Sequence, residues 1–345
     1  TEQCLKEHRG ELTIKCKLEV FRREVEEAED VRYDAFLADM CAADKNMFCS
    51  SVKPGESRVM GCLESHASDP KFSGDCRAII DRRSVRRAAD WRLDFTLRRA
   101  CANDVMAVCR DEVLAAKLKV SASGKVLECL KSNLGAGKIA DSECKREVEK
   151  KMVAAAADLR QDTSLTLACK TDLTEHCAGV QPGNGRLWAC LARNRKKLAT
   201  HGECEEKLFE REVWMSGDWR YKYALQSRCA SERQVLCHGV SPGKARVIRC
   251  LQGKMDDPKM GGECRTAVFE DQVRSHNDIR LNHELDQSCA SDTKELCADV
   301  QPGEGRVIKC LRDSRHTIKA PDCRAAVLRV MMSAADNYLL DQSCA

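Results

Sequence analysis

Residues 278–310 read DIRLNHELDQSCASDTKELCADVQPGEGRVIKC, and this stretch decides the fold because its cysteine spacing recurs along the chain. From Cys169 the intervals to the next four cysteines are 8, 13, 14 and 25 residues, and the same four intervals follow from Cys229. Two successive periods of 60 residues are therefore identical in spacing. Self-similarity at a fixed period predicts a tandem repeat protein rather than two or three unrelated domains.

The phase of the repeat accounts for an odd number of cysteines, 23 in all. Cys4 and Cys16 fit the third and fourth positions of a repeat whose beginning is absent, and Cys344 fits the first position of another. Five complete quartets lie between them, so no reactive thiol is needed to explain the count. The predicted domains are 1–29, the end of a truncated repeat; the repeats 30–89, 90–157 (with an insertion), 158–217, 218–277 and 278–335; and 336–345, the start of a truncated repeat.

An aspartate opens each repeat, as Asp278 does, and arginine usually follows two residues later. Aspartate accepts the free N–H groups of a helix's first turn, so this residue predicts an N-cap. Leu281, Leu285 and Cys289 then follow at helical spacing. We predict one first helix that carries the first two cysteines on a broad common face. The equivalent aspartates are Asp30, Asp90, Asp158, Asp218 and Asp336.

A turn ends this helix at Val300-Gln301-Pro302-Gly303, because proline blocks helix continuation and glycine tolerates positive φ. A second helix is predicted around Arg306–Leu311, and the fourth cysteine of each repeat, such as Cys264, opens a third. The repeat from Asp90 replaces the turn with an insertion near Val120, which predicts a longer first helix or a bulging loop. The fold class is all-α: disulfide-stapled tandem helical repeats of about 60 residues stacked into an extended array.

Helix geometry restricts the disulfide pairing. The first two cysteines are eight residues apart, which is roughly 12 Å along a helix and too far for a bond between them. Of the two remaining pairings we favour the nested one, second with third and first with fourth, while a bond between repeats stays open. The favoured pairs are Cys41 with Cys76, Cys49 with Cys62, Cys101 with Cys144, Cys109 with Cys129, Cys169 with Cys204, Cys177 with Cys190, Cys229 with Cys264, Cys237 with Cys250, Cys289 with Cys323 and Cys297 with Cys310.

Composition excludes several classes of function. Regularly spaced cysteines without C-x-x-C pairs favour an oxidising compartment over a metal-binding cytosolic protein. A net charge of +4 from 58 basic and 54 acidic residues is well mixed, which gives no case for nucleic acid or membrane binding. No apolar run approaches the roughly 18 residues of a membrane span. No catalytic or metal motif stands out from the repeats, so we predict neither an enzyme nor a cofactor.

Three local motifs carry a resemblance. They are the C-x7-C element with an internal acid at Cys289–Cys297, the Pro-Gly turn, and the Cys-Leu pair at Cys310-Leu311. With the period, they resemble the cysteine-rich repeats of the Golgi apparatus protein 1 family, also described as the cysteine-rich fibroblast growth factor receptor and E-selectin ligand, over essentially the full chain. The resemblance implies the lumenal or extracellular ectodomain of a type I Golgi membrane protein that holds growth factors or adhesion partners by protein contacts.

The densest basic run offers a candidate binding surface at Arg82, Arg83, Arg86 and Arg87. On a helix several of these side chains share a face, which would suit a sulfated polysaccharide or an acidic protein partner. The alternative is an ordinary solvated helix surface, because Asp75, Asp81, Asp90 and Asp94 lie nearby in sequence.

Tryptophans provide the other candidate contacts. Trp188 and Trp214 are little repeated and are predicted to touch a partner, whereas Trp91 and Trp219 flank the aspartate cap and are predicted at the interface between repeats. Repeated acids and arginines are instead expected to cap helices or to form inter-helix salt bridges. They are Asp44, Asp104, Asp172, Glu232 and Asp292, with Arg58, Arg186, Arg246 and Arg306.

These observations favour a non-enzymatic lumenal or extracellular ectodomain that binds growth-factor or adhesion-receptor types of protein in the secretory pathway or at the cell surface. Extracellular matrix proteins belong to the same class of partner. The alternative is a structural stalk or scaffold subunit of a larger extracellular assembly.

Overall fold

A computed structural model describes residues 2–117, 124–198 and 202–335. Every regular element in these residues is helical, which confirms the predicted all-α repeat architecture. Cys344 and the predicted truncated repeat 336–345 lie outside the described residues, as does most of the insertion around Val120. By backbone proximity the chain divides into two compact units, Thr1–Leu187 and Trp188–Ala345.

Each repeat contains five helical elements, which we name the cap turn, the first, second and third helices, and the long helix. In the repeat that begins at Asp30 they are a 3-10 cap turn at Val31–Tyr33, a first helix at Ala35–Met40, a second at Ala42–Phe48, a third at Arg58–His66 and a long helix at Gly74–Ala89. In the same order, the repeat from Asp90 has Trp91–Leu93, Phe95–Ala100, Ala102–Val108, Lys125–Gly135 and Ser142–Ala157, and the repeat from Asp158 has Leu159–Gln161, Thr163–Ala168, Lys170–His176, Arg186–Arg193 and Glu203–Met215. The repeat from Asp218 has Trp219–Tyr221, Tyr223–Arg228, Ala230–Leu236, Arg246–Gln252 and Gly262–Asn277. The repeat from Asp278 has Ile279–Leu281, His283–Ser288, Ala290–Leu296, Arg306–Asp313 and Pro321–Ala335.

The remaining described helices fall outside this pattern. Glu2–Glu7 and the 3-10 turn Arg9–Glu11 precede a long helix at Ile14–Glu29. Arg195–Leu198 is a single turn after a third helix. Arg110–Lys117 is an extra helix directly after Cys109, so the described part of the insertion is helical.

The prediction of one continuous first helix from the aspartate cap is wrong. Asp278 caps only a 3-10 turn, and a second cap residue four positions later, Asn282, accepts the backbone N–H of Leu285 at 3.1 Å and starts the first helix. Cys289 then has φ −100° and ψ 6°, outside the helical region, and separates the first helix from the second. The first cysteine of the repeat therefore sits at a helix junction rather than on a helical stripe.

Disulfides lie at the centre of each repeat. In the first complete repeat, Cys41 is bonded to Cys76 and Cys49 to Cys62, with Cα–Cα distances of 4.9 and 6.0 Å. The bond of the first cysteine joins the junction between the first two helices to the long helix, and the other bond joins the second helix to the third. The other bonds in the structure are Cys101–Cys144, Cys109–Cys129, Cys229–Cys264, Cys237–Cys250, Cys289–Cys323 and Cys297–Cys310, while Cys169, Cys177, Cys190 and Cys204 are also disulfide-bonded.

Aliphatic side chains complete a separate small core in each repeat. In the repeat 30–89, Leu37, Val59, Leu63 and Phe72 are almost completely buried and form one cluster with the disulfide cysteines. With aromatic residues at 4% of the chain, each core depends on aliphatic packing and on its cross-links. Cys4 and Cys16, by contrast, are free and exposed.

A backbone hydrogen bond links each third helix to the preceding long helix. The N–H of Ser57, the residue before the third helix, donates to the carbonyl of Glu29 at the end of the long helix before it, at 2.7 Å. Ser57 holds a positive φ of 56°, which turns its N–H toward that carbonyl. The equivalent bonds are Gly124 to Ala89, Gly185 to Ala157, Ala245 to Gly217 and Gly305 to Asn277.

Candidate interaction surfaces

The aspartate and arginine that open each repeat bind each other. Asp30 accepts the backbone N–H of Arg32 at 2.9 Å, and the guanidinium of Arg32 folds back to the same carboxylate. The hydrogen bond from the Arg32 side chain holds the pKa of Asp30 below its usual range. Asp90, Asp158, Asp218 and Asp278 make the same contact with the arginine two residues later. This pair is therefore part of the turn and not a free charged site.

The arginine after each Pro-Gly pair closes the turn. Arg58 donates from Nε to the carbonyl of Lys53 at 3.1 Å and from Nη2 to that of Pro54 at 3.0 Å. Gly55 between them has φ +92°, a conformation that other residues rarely adopt. Arg186, Arg246 and Arg306 make the same two bonds in their repeats. The main contacts of these arginines are backbone carbonyls rather than carboxylates on another helix, which differs from the expected salt bridges.

The repeated acid of the second helix holds the start of the long helix. Asp44 is buried and accepts the N–H of Ser73 at 2.9 Å as well as its hydroxyl. The interpretation of these acids as capping groups is confirmed for Asp44, and Asp104, Glu232 and Asp292 likewise accept backbone N–H groups that precede or begin a long helix. These repeated acids are thus used by the fold.

A further ion pair was not anticipated from the sequence. Asp34, the cap of the first helix, accepts the N–H of Leu37 and also contacts the guanidinium of Arg83 on the long helix. In the next repeat Asp94 and Lys151 occupy the same positions and make the same contact. The sequence does contain a signal for this ion pair. One charged residue lies four positions after an aspartate cap, and a residue of opposite charge lies seven positions before the next aspartate cap.

Three of the four arginines in the basic run, Arg83, Arg86 and Arg87, form ion pairs within the protein. Arg83 Nη1 lies 3.4 Å from Glu27, Arg86 Nη2 lies 3.1 Å from Glu24, and Arg87 contacts Glu64. Burial raises the pKa of Glu24, although Arg9 and Lys6 beside it oppose the shift. Arg82 is the exposed member of the run. A polyanion or acidic partner at this surface would meet one exposed arginine rather than four.

The tryptophans are all partly buried. Trp214 stacks on Tyr221 with ring centroids 4.8 Å apart and an angle of 9° between the planes. Trp219 packs against the core of its own repeat. Trp188 is half-buried, so it and Trp214 present only part of their surface to a partner.

Two groups of potential metal ligands occur in the described residues. They are Cys49, Cys62 and His66, and Cys109, Glu112 and Cys129. Each group contains two cysteines that are bonded to each other. Since a thiolate is the form of cysteine that binds metal, the oxidised groups are disulfides with a polar neighbour.

No helix within residues 2–117, 124–198 and 202–335 combines the length and the apolar character that crossing a bilayer requires.

Comparisons with known proteins agree with the repeat architecture. The model of the family described as "Cysteine rich repeat" matches residues 14–71, 74–138, 142–199, 202–259 and 262–319. Golgi apparatus protein 1 of Homo sapiens is 27% identical over 338 residues, which cover 94% of this chain and 27% of that protein. The Gallus gallus protein of the same name is 26% identical over 96% of the chain and 31% of its own length, and the Caenorhabditis elegans homolog is 25% identical over 81% and 26%.

The chain thus spans about a quarter to a third of the length of these relatives. No solved structure gives a significant match. The disulfides and the Golgi apparatus protein 1 relatives fit a location in the Golgi lumen or at the cell surface. Five family matches, each with four cysteines and with helices as the regular elements of its described residues, show that this chain belongs to the cysteine-rich repeat family and is a homologue of Golgi apparatus protein 1.

Proposed function

We propose that this chain is a non-enzymatic lumenal or extracellular ectodomain that binds protein partners of the growth-factor or adhesion-receptor type. The observation that carries the proposal is that the repeated charged residues make contacts within the fold. Asp30, Asp44 and Arg58 and their equivalents cap helices and close turns, so the most frequent charged positions serve the fold. Specificity then resides in exposed side chains that differ between repeats, which suits recognition rather than catalysis.

A direct binding measurement tests this function. The disulfide-intact chain is immobilised and exposed to a fibroblast growth factor and, separately, to soluble E-selectin, the two partner types named by the family resemblance. The proposal expects saturable, salt-dependent binding of at least one of them. The control is the same chain after reduction and alkylation, which removes the folded surface. Equal signals from the folded and the reduced chain would reject the proposal.

A structural scaffold is the second candidate, and contacts between repeats support it. Arg160 Nη2 lies 2.8 Å from both carboxylate oxygens of Asp81 in an earlier repeat, and the guanidinium of Arg92 lies 4.2 Å from the ring centroid of Phe21. Such contacts join repeats into a continuous body in Thr1–Leu187. Sedimentation separates the candidates, because a monomer that captures a soluble factor supports binding and concentration-dependent self-association supports a scaffold.

Partner contact at Arg82 and at the two partly buried tryptophans Trp188 and Trp214 remains part of the proposal. For the basic run it rests on Arg82, because its neighbours are engaged in ion pairs. If the Arg82→Glu chain is no longer retained on a heparin column, the result would support binding of a sulfated polysaccharide at Arg82. If its retention is unchanged, Arg82 is not part of such a site.

A further inference from the structure

An open cleft of about 970 Å³ lies within the unit Thr1–Leu187, where three consecutive repeats meet. The third helix Arg58–His66 and the long helix Gly74–Ala89 line one side, and the long helix Ser142–Ala157 of the next repeat lines the other. Gln161, in the cap turn of the repeat after that, also lines the cleft. The two following repeats are therefore already in place around this cleft, and it stays open between them.

A polar bridge spans the equivalent place in two other joints between repeats. In the joint between the last two described repeats, Glu284 on a first helix contacts Arg249 on the preceding third helix and lies 2.6 Å from Nη2 of Arg329 on its own repeat's long helix. In the joint between the second and third complete repeats, the hydroxyl of Ser164 donates to Glu128 at 3.1 Å. In both joints a first helix is thus tied to the third helix of the repeat before it.

The two positions of this bridge are held by Gly61 and Thr96 at the open cleft. Gly61 comes directly before the third cysteine of its repeat, as Arg249 does. Thr96 comes directly before the buried leucine of its first helix, as Glu284 does. A Cβ at Gly61 would meet no other heavy atom within 4 Å, and the hydroxyl of Thr96 donates to Asp94 at 2.9 Å. The cleft is open at this point because neither side chain reaches across it.

Several polar groups in the lining are available to a ligand. The side chains of Ser57 and Gln161 form no hydrogen bond with described residues, although Ser57 is buried. Arg77 contacts backbone carbonyls and forms no ion pair with a described carboxylate. Lys150 is exposed and pairs with Glu147 on its own helix, whereas its counterpart in the bridged joint holds the carboxylate of the first helix. The cleft therefore offers a hydroxyl, an amide and two cations to a ligand.

The lining lacks the anchoring pockets of a protein interface. None of the described residues that line the cleft is aromatic, and its one large aliphatic side chain, Ile80, is itself buried. Protein partners gain most of their binding energy from a few large side chains that fill desolvated pockets. A hydrophilic ligand with many hydroxyl groups and a negative charge suits this lining better, because its polar groups find hydrogen-bonding partners. The other acids of the lining are already paired, Glu64 with Arg87 and Asp81 with Arg160.

We propose that this cleft binds an acidic oligosaccharide, with a carboxylate of the sugar at Lys150 and sugar hydroxyls at Ser57 and Gln161. The sugar carboxylate then takes the role that Glu284 has in the bridged joint. A carboxylate beside several hydroxyl groups occurs both in the uronic acids of polysaccharides and in the terminal sialic acids of glycoproteins, so this shared chemistry defines the ligand. The inference goes beyond the proposed binding of protein partners and does not depend on it.

Titration calorimetry of the disulfide-intact chain tests the cleft with two acidic sugars. A hyaluronan tetrasaccharide supplies uronic acids and 3′-sialyllactose supplies a sialic acid, while chitotetraose and lactose are their neutral counterparts. The proposal expects saturable binding of at least one acidic sugar, and the sugar that binds identifies the source. Lys150→Gln should weaken this binding about tenfold, because it removes the charge that meets the carboxylate. Lys138→Gln, at an exposed lysine of the same repeat outside the cleft, is the matched control and should leave the affinity unchanged.

A second variant closes the cleft without changing the net charge. Gly61→Arg with Thr96→Glu installs the two side chains that Arg249 and Glu284 provide in the bridged joint. The variant should fold, because Gly61 lies inside a helix with open space around it, where glycine is the less stable choice. Its melting temperature checks this. Binding of the acidic sugar should be lost although the variant carries the same net charge as the unchanged chain.

Three outcomes overturn the inference. The first is that neither acidic sugar binds, or that the neutral sugars bind equally well. The second is unchanged affinity in the closed variant, or equal effects of Lys150→Gln and Lys138→Gln, since either result places the sugar elsewhere. The third is that the closed variant loses a growth factor or E-selectin while no sugar binds the unchanged chain, which assigns the cleft to a protein partner. Failure of the sugars leaves the proposed function intact, because that function is measured by protein binding to the unchanged chain.

Discussion

Lys222 Nζ lies 2.6 Å from Asp271 Oδ1, and this ion pair has the opposite polarity to the pairs at the same place in two earlier repeats. There the first-helix cap is acidic and the long helix is basic, as in Asp34 with Arg83. In the repeat 218–277 the cap position is lysine and the long helix supplies aspartate. Where this ion pair is present, either helix can therefore carry either sign, and the repeat 278–335 has the uncharged Asn282 and Val330 at the two positions.

Reversing one charge of this pair should destabilise the compact unit Trp188–Ala345. Lys222→Asp alone places two carboxylates together where Asp271 is 4% exposed, so we expect a loss of about 3 kcal/mol in the free energy of unfolding. Lys222→Asp with Asp271→Lys recreates the polarity of the earlier repeats and should recover all but about 1 kcal/mol. Urea denaturation of the disulfide-intact chain measures the cycle. Strictly additive losses in the double variant would contradict this account.

Acid should destabilise the compact unit Thr1–Leu187 through Asp94. Burial by itself raises the pKa of this carboxyl, but Lys151 and Arg87 outweigh burial and hold the pKa well below its usual range. A depressed pKa in the folded state contributes stability that is present above about pH 4 and lost as the pH falls toward the folded value. Thermal unfolding between pH 7 and pH 2 should show this loss. In Lys151→Met the loss should begin at a higher pH, and an unchanged profile would be evidence against the pair.

His276 should make the other compact unit sensitive to milder acid. Its ring is buried, with Nδ1 2.9 Å from the carbonyl oxygen of Gln272 and Nε2 3.1 Å from Ser333 Oγ, and burial lowers the pKa of the ring. Because the folded pKa is below the unfolded value of about 6.5, the contribution is present above that value and is lost as pH falls through the folded pKa. His276→Gln should flatten the dependence of melting temperature on pH between 7 and 5. Equal slopes for both proteins would refute the assignment.

The Pro-Gly turn should tolerate no side chain at its glycine. Gly303 has φ +99°, so Gly303→Ala is expected to cost about 1–2 kcal/mol of stability through backbone strain. Gly262→Ala is the matched control, because Gly262 begins a helix, has no positive φ and leaves open space for a Cβ. That control should be neutral or slightly stabilising. Melting temperatures of the two variants give the comparison, and equal shifts would show that the turn is not under conformational constraint.

Disulfide connectivity in the repeat 158–217 stays a prediction. The nested pattern pairs Cys169 with Cys204 and Cys177 with Cys190, as in the bonds Cys229–Cys264 and Cys237–Cys250. Non-reducing peptide mapping should recover these two linked peptides. A peptide that joins either pair to a cysteine of another repeat would overturn the nested pattern for this chain.

The repeat period and its helical character were predictable because they depend on residues close in sequence. The Pro302-Gly303 turn needs only proline's missing N–H and glycine's freedom at positive φ. The junction at Cys289 was missed because a cysteine carries no helix-breaking signal, and its position is set by the disulfide to Cys323 on the long helix. Long-range constraints of this kind leave no trace in local periodicity.

The same limit applies to the binding surfaces. Arg83 and Arg86 form a basic run in sequence, but their partners Glu27 and Glu24 lie 56 and 62 residues earlier. Which charges meet is decided by the packing of long helices from neighbouring repeats.

The hydrogen bond from Ser57 N–H to the carbonyl of Glu29 uses main-chain atoms on both sides, and so do its four equivalents. A repeat can therefore be duplicated or exchanged without a matching change of side chain in its neighbour at this joint. The one requirement is a residue that accepts φ between 52° and 69°, and the chain meets it with serine, alanine or glycine. Such a joint lets an array grow by gene duplication while the exposed positions of each new copy diverge freely.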